Sequence, residues 1–194
     1  ATAEELFAEA NRRAADRRVA WSQPNFLSQV IKQTTDPLFQ FQWPLHNSGI
    51  NGATPNADVN APEAWTTTTG GSGIVIAVID DGIDVNHPDL AANIFSNFGE
   101  TSNSQDDDGN GYVDDLRGWD FFSDDNDPTP ELAEDRHSTA VAGLAAAVAN
   151  NSLGLAGVAP GCRIMPVKVI CGANWVSDST LAEAVYYAAG RTRN

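Results

Sequence analysis

At 194 residues the chain suits one domain plus a short extra segment, and a 42% hydrophobic content excludes global disorder. Net charge is −15, and residues 106–127 alone hold nine aspartates. Such a surface repels phosphate backbones, which argues against nucleic-acid binding, while it suits divalent cations held through oxygen.

No apolar run is long enough to span a bilayer and no signal peptide is visible. The chain begins at Ala1 rather than Met, which leaves room for an upstream segment. Cys162 and Cys171 bracket an apolar run; as a strand it would hold them about 30 Å apart, far beyond disulfide reach, so no mutual bond is expected.

In chain order, residues 2–18 predict a surface helix: Thr2 with Glu5 makes a capping-box pattern, acids lead and arginines follow, and Glu9 precedes Arg13 by four. Residues 24–36 form a polar connector ending at Asp36-Pro37. A Gly/Asn-rich loop covers 47–60, and residues 74–79 (IVIAVI) predict a strand buried on both faces. A long acidic loop spans 99–136. Small residues at 138–149 predict a helix able to pack close to a sheet. Residues 163–170 (RIMPVKVI) predict a second buried strand with Pro166 as its weak point. A last helix is expected over 179–189, capped by Asp178 or Ser179 and ended by Gly190. Strand–helix–strand–helix argues a parallel α/β sheet with right-handed crossovers.

Catalytic groups in such sheets sit just beyond the carboxyl ends of strands, where Asp80 and Asp81 fall. From the residues alone, this pair suits a catalytic acid, a Mg²⁺ site for phosphoryl chemistry, or a turn cap. The run VIDDGIDVNHPDL (78–90) resembles the aspartate motif of the subtilase family of serine proteases, in the double-Asp form of its proprotein-processing (kexin/furin-like) branch. DRHSTAVAG (135–143) resembles the family's histidine block, and GLAGVAPGCRIMPVKV (154–169) is another family-like stretch. The resemblance implies catalytic roles for Asp80 and His137, with Asp81 at a variable position and Gly82 allowing the tight turn after it. His87 is structural by the same resemblance, and His46 carries no catalytic argument.

The chain also departs from the family. Ser138 replaces the usual glycine after the histidine, and Ala140 replaces the second histidine. No Gly-Thr-Ser-Met-Ala-type segment and no G-x-S-x-G elbow occurs. On the resemblance, the nucleophilic serine, the oxyanion-hole asparagine and the cleft-lining strand all fall beyond Asn194, so the chain alone is expected to be inactive.

Calcium is the implied cofactor. Residues 106–117 (DDDGNGYVDDLR) resemble the start of an EF-hand loop, with Asp106, Asp108, Asn110, the Tyr112 carbonyl and Asp114 at alternate positions and Asp115 or a later aspartate completing the shell. Arg117 stands where that motif wants a glutamate. A second site follows from the family resemblance: the Asp89 carboxylate, the Asn151 side chain, the carbonyls of Ala149, Leu153 and Leu155, and Asp36 as the amino-terminal ligand. VAWSQPN (19–25) resembles the end of a subtilase propeptide.

The expected architecture is therefore a three-layer α/β/α subtilisin-like parallel sheet, truncated before its later strands. Residues 1–33 form an extension or propeptide end, and 34–194 a partial catalytic domain. The implied protein is a secreted, extracellular endopeptidase acting on polypeptide substrates and needing the missing carboxyl-terminal part of its domain. The alternatives are an inactive calcium-binding or regulatory module, or Mg²⁺-dependent phosphoryl chemistry at Asp80 and Asp81.

Overall fold

The computed structural model describes residues 3–15 and 34–190. The chain divides into two compact units, Ala1–Ile31 and Lys32–Asn194.

In the first unit, helix α1 (Ala3–Ala14) carries the expected charge order. Glu9 bonds Arg13 at 2.7 Å as anticipated, and Arg12 as well, also at 2.7 Å. Those two guanidiniums hold the Glu9 carboxyl down at about 2. Thr2, residues 16–18 and the VAWSQPN stretch lie outside the described residues.

The second unit contains α2 (Ala61–Trp65), β1 (Val75–Asp80), β2 (Trp119–Asp120), α3 (His137–Ala146), β3 (Arg163–Lys168), β4 (Ile170–Cys171), β5 (Asn174–Trp175) and α4 (Asp178–Ala188). The main sheet is parallel, in the order β1-β3-β2, with Asp80 of β1 and Asp120 of β2 both level with Lys168 of β3. β4 and β5 form a small antiparallel hairpin.

Alternation along the strands builds the layers. Ile76, Val78 and Ile164 join a cluster with Ala142, Ala146 and Leu90 on the α3 side. Ala77, Ile79, Met165, Val167 and Val169 join Trp119, Phe121 and the α4 residues Ala184 and Tyr187 on the other. The outcome is the expected helix–sheet–helix sandwich. Asp80 shares the parity of Ile76 and Val78, so its carboxylate emerges on the α3 side.

Three expectations are corrected. β1 is not buried on both faces: Val78 is buried, Ile76, Ala77 and Ile79 are half-buried, and Val75 with the preceding Ile74 is exposed. The 138–149 helix runs from His137 to Ala146 and stops there, because the Val148 amide turns away to the Asp89 carbonyl. The N-cap of α4 is Ser177, whose hydroxyl accepts from the Thr180 amide, rather than Asp178 or Ser179.

Pro166 sits inside the central strand without conflict. Arg163 and Val169 direct their amides to β1, so the even residues of β3 face the β2 side. There, Phe95 pairs at Ile164 and Phe121 pairs at Lys168, leaving Pro166 opposite a gap in the neighbouring strand. Gly118 fills that gap with φ 137°, its Cα so close to the Pro166 carbonyl that no Cβ fits.

Candidate active site

The structure brings Asp80 and His137 together from opposite ends of the sequence segment that separates them. His137 Nδ1 lies 2.5 Å from Asp80 Oδ2. The other carboxylate oxygen, Oδ1, accepts the Asp81 amide at 2.9 Å. With the proton on Nδ1 donated to Asp80, the His137 Nε2 lone pair is left for a proton acceptor's task. The imidazole is 73% exposed while the Asp80 side chain is 15% exposed, so the base faces outward and its partner is sheltered.

Asp81, which the sequence placed only at a variable position, has a defined job. Its Oδ2 accepts the His137 amide at 3.0 Å and its Oδ1 the Ser138 amide at 2.7 Å. Gly82 has φ +97°, and a Cβ there would lie 2.9 Å from the Thr129 backbone, so the tight turn does require glycine. Asp80 and Asp81 therefore point at different targets, which opposes the shared-cation geometry that a Mg²⁺ pair needs.

Ser138 is completely buried, and its hydroxyl has no hydrogen-bond partner among the described residues. The position thus accepts a side chain where the family has glycine. His87 Nδ1 accepts the Asp89 amide at 3.2 Å, and His46 stacks on Phe39 at a ring separation of 6.4 Å, so both have structural employment. Cys162 and Cys171 are free, as expected. Burial and nearby Glu131 push the Cys171 thiol up, away from thiolate chemistry.

The sequence reading also missed a buried cation. Lys168 is fully buried, bonded to Asp120 Oδ2 at 2.7 Å and to Glu131 Oε1. Burial pulls its amine down but the two carboxylates outweigh that and leave it raised; Lys168 in turn holds the Glu131 carboxyl low. A lone lysine within the apolar run RIMPVKVI was the available signal, since a buried ammonium demands anions.

In the acidic loop, Asp106 accepts amides of Gly109, Asn110 and Gly111, and Asp114 those of Asn103 and Ser104, so both carboxylates shape the loop. Tyr112 is buried among Trp119, Phe121 and Tyr187. Asn110 donates to Asp108 and Asp115. The carboxylates that converge are Glu100, Asp108 and Asp115, with an oxygen of each within 4.8 Å of the others. Glu100 was not foreseen, because it precedes the aspartate run. Burial pushes the Asp115 carboxyl up against hydrogen bonds from Tyr187, Asn97 and Asn110.

Of the second implied set, Asp36, Asp89 and Asn151 share one hydrogen-bonded network. Asp36 accepts the amides of Asn150, Asn151 and Ser152, while Asp89 accepts the Asn151 side-chain amide at 2.8 Å and the Leu155 amide at 2.9 Å. Leu153 donates to the Asn151 Oδ1 at 2.8 Å, and Ala149 packs beside the cluster around Phe39. Two buried acids from distant segments thus grip the loop 148–155.

Comparison with known proteins shows the family of this chain. The model of the subtilase family matches residues 71–194. Neuroendocrine convertase 2 of Bos taurus is 35% identical over 147 residues, covering 74% of this chain and 20% of that protein. Furin of Mus musculus is 36% identical over 159 residues, covering 80% and 17%. A thermophilic serine proteinase of Bacillus sp. (strain AK1) is 33% identical over 174 residues, covering 88% and 34%. The chain therefore spans about a fifth to a third of these relatives. The crystal structure of the Aeromonas sobria serine protease in complex with its chaperone superposes with a TM-score of 0.62 at 28% identity, over 89% of this chain and 25% of that one. With both motifs in spatial register and the family's model covering well over half of its length, this chain belongs to the subtilase family, with features of its kexin/furin-like branch.

Proposed function

We propose that the chain is the Asp- and His-bearing part of a secreted serine endopeptidase that cleaves polypeptides through an acyl-enzyme. The observation that carries this reading is the 2.5 Å contact of His137 Nδ1 with Asp80, at the carboxyl end of a parallel strand. His137 Nε2 takes the proton of a serine hydroxyl, and Asp80 holds the tautomer and stabilises the imidazolium. The serine and its oxyanion donors come from outside these 194 residues, because no segment of the family's serine type occurs within them. Residues 1–33 serve as the end of a propeptide, a reading supported by the separation of the units at Ile31 and Lys32.

Calcium fits as the structural cofactor at two places. Glu100, Asp108 and Asp115 supply hard oxygen donors whose mutual repulsion a divalent cation relieves. Asp36, Asp89 and the 148–155 loop supply the other set. When bound, the ion neutralises these acids; the protein's part is to hold the loop next to α3.

The test is to extend the reading frame past the Asn194 codon and express the longer product. Peptide cleavage that is abolished by Asp80→Asn and by His137→Ala supports the assignment. An extended protein with a serine motif, folded yet unaffected by either change, would sink it. A second reading, an inactive calcium-binding or regulatory module, is favoured by the converged carboxylates; an in-frame stop directly after Asn194, with calcium binding intact, would select it.

A further inference from the structure

The subtilase reading gives Asp80 the task of orienting the His137 ring, but a ring is oriented only if its backbone is fixed. Helix α3 begins at His137, and the residue at its N-cap, Arg136, provides no side-chain bond to the first turn. The leading amides of a helix need acceptors from elsewhere. Asp81 supplies them from another element, its two oxygens each taking one amide, of His137 and of Ser138. Asp81 is buried, at 7% exposure for the whole residue, so these charge-assisted bonds are sheltered from water. Its charge also complements the positive end of the helix. The same turn donates the Asp84 amide to Thr139 Oγ1 at 3.0 Å, adding a third tie between residues 80–84 and the start of α3.

We propose that Asp81 is a positioning residue: consecutive aspartates grip one histidine at two points, Asp80 at the imidazole and Asp81 at the main chain. Either bond alone leaves the histidine a pivot. Together they fix where Nε2 stands relative to the end of β1. This role rests on the protease reading for its purpose, but its geometry can be tested in the chain as it is.

The experiment is solution NMR on the 194-residue chain, whose three histidines make assignment direct. In the wild type, hydrogen-bond scalar couplings are expected from the His137 and Ser138 amides to the Asp81 carboxylate carbon, together with a far-downfield His137 Nδ1 proton. Asp81→Ala is expected to remove the downfield proton and to speed exchange of the two amides about tenfold or more, while Ile164 and Val167 keep their protection. Asp81→Asn, which keeps one acceptor oxygen, should fall between. Absence of the couplings in the wild type overturns the proposal without any variant. So does a downfield proton that persists in a folded Asp81→Ala chain. Couplings and downfield proton present and lost as described support the grip even if a serine-bearing longer protein cleaves no peptide, an outcome that counts against the protease reading alone.

Discussion

Lys168 and Asp120 form a fully buried ion pair at 2.7 Å, level in the sheet with Asp80 on the opposite strand. Glu131, reaching in from the loop that leads to His137, completes the pair on its solvent side. Asp135 in the same loop accepts the Gly172 amide at 2.9 Å. The loop before His137 is thus fastened to the sheet from β3 and its continuation.

Lys168→Met strands Asp120 as an unpaired buried charge, and the expected loss is about 3–5 kcal/mol. Glu131→Gln removes a half-exposed partner and is expected to cost less than about 1 kcal/mol. Urea unfolding monitored by tryptophan fluorescence separates the two; equal losses would show that Asp120 is not the dependent partner.

Ser138 carries a desolvated hydroxyl that bonds nothing among the described residues. Ser138→Ala is expected to stabilise the chain by about 1 kcal/mol. Ser138→Gly, restoring the family's residue, is expected to be about 1 kcal/mol less stable than the alanine variant through helix entropy. A destabilised alanine variant would mean that the hydroxyl has a partner, such as a bound water.

Tyr187 donates its hydroxyl to Asp115 at 2.7 Å, and burial, with the Asp115 charge, pushes the phenol well up. A raised folded value means its stabilisation is complete below the unfolded tyrosine value of about 10 and is lost as pH rises beyond it, because only the unfolded chain ionises there. Stability against pH should therefore fall more steeply above about pH 10 in the wild type than in Tyr187→Phe, by up to about 1.4 kcal/mol per unit. Parallel curves would remove this assignment.

Calcium should raise the melting temperature and EDTA lower it. Saturation to a hundredfold over the dissociation constant corresponds to about 2.7 kcal/mol. Glu100→Gln with Asp115→Asn should delete one binding event by calorimetry, and Asp89→Asn the other. A melting temperature indifferent to both calcium and EDTA would eliminate calcium from the proposal.

β1 and the residue before it present Val75 at 40% and Ile74 at 59% exposure, along an edge with a sheet partner on one side among the described residues. Such an edge recruits other strands. The isolated chain is expected to self-associate, and a sharp monomer by size exclusion with light scattering would contradict this.

The amino-acid sequence by itself determined the alternation of strand and helix, the strand-end location of Asp80 and the helix-start location of His137. These are local matters, written in β-branched runs, small-residue helices and a glycine at a tight turn. What only tertiary structure decided were pairings across large separations. Asp81 serves amides 56 and 57 residues away, and Lys168 finds Asp120 and Glu131 at separations of 48 and 37. The acidic loop shows the same limit: spacing pointed to Asp106, Asp108, Asn110, Tyr112 and Asp114 with Asp115 or a later aspartate, whereas the fold gathers only Asp108 and Asp115 of these acids and adds Glu100 from before the aspartate run. A carboxylate's partner depends on which donors the folded chain brings within about 3 Å, and no spacing rule along the chain encodes that distance.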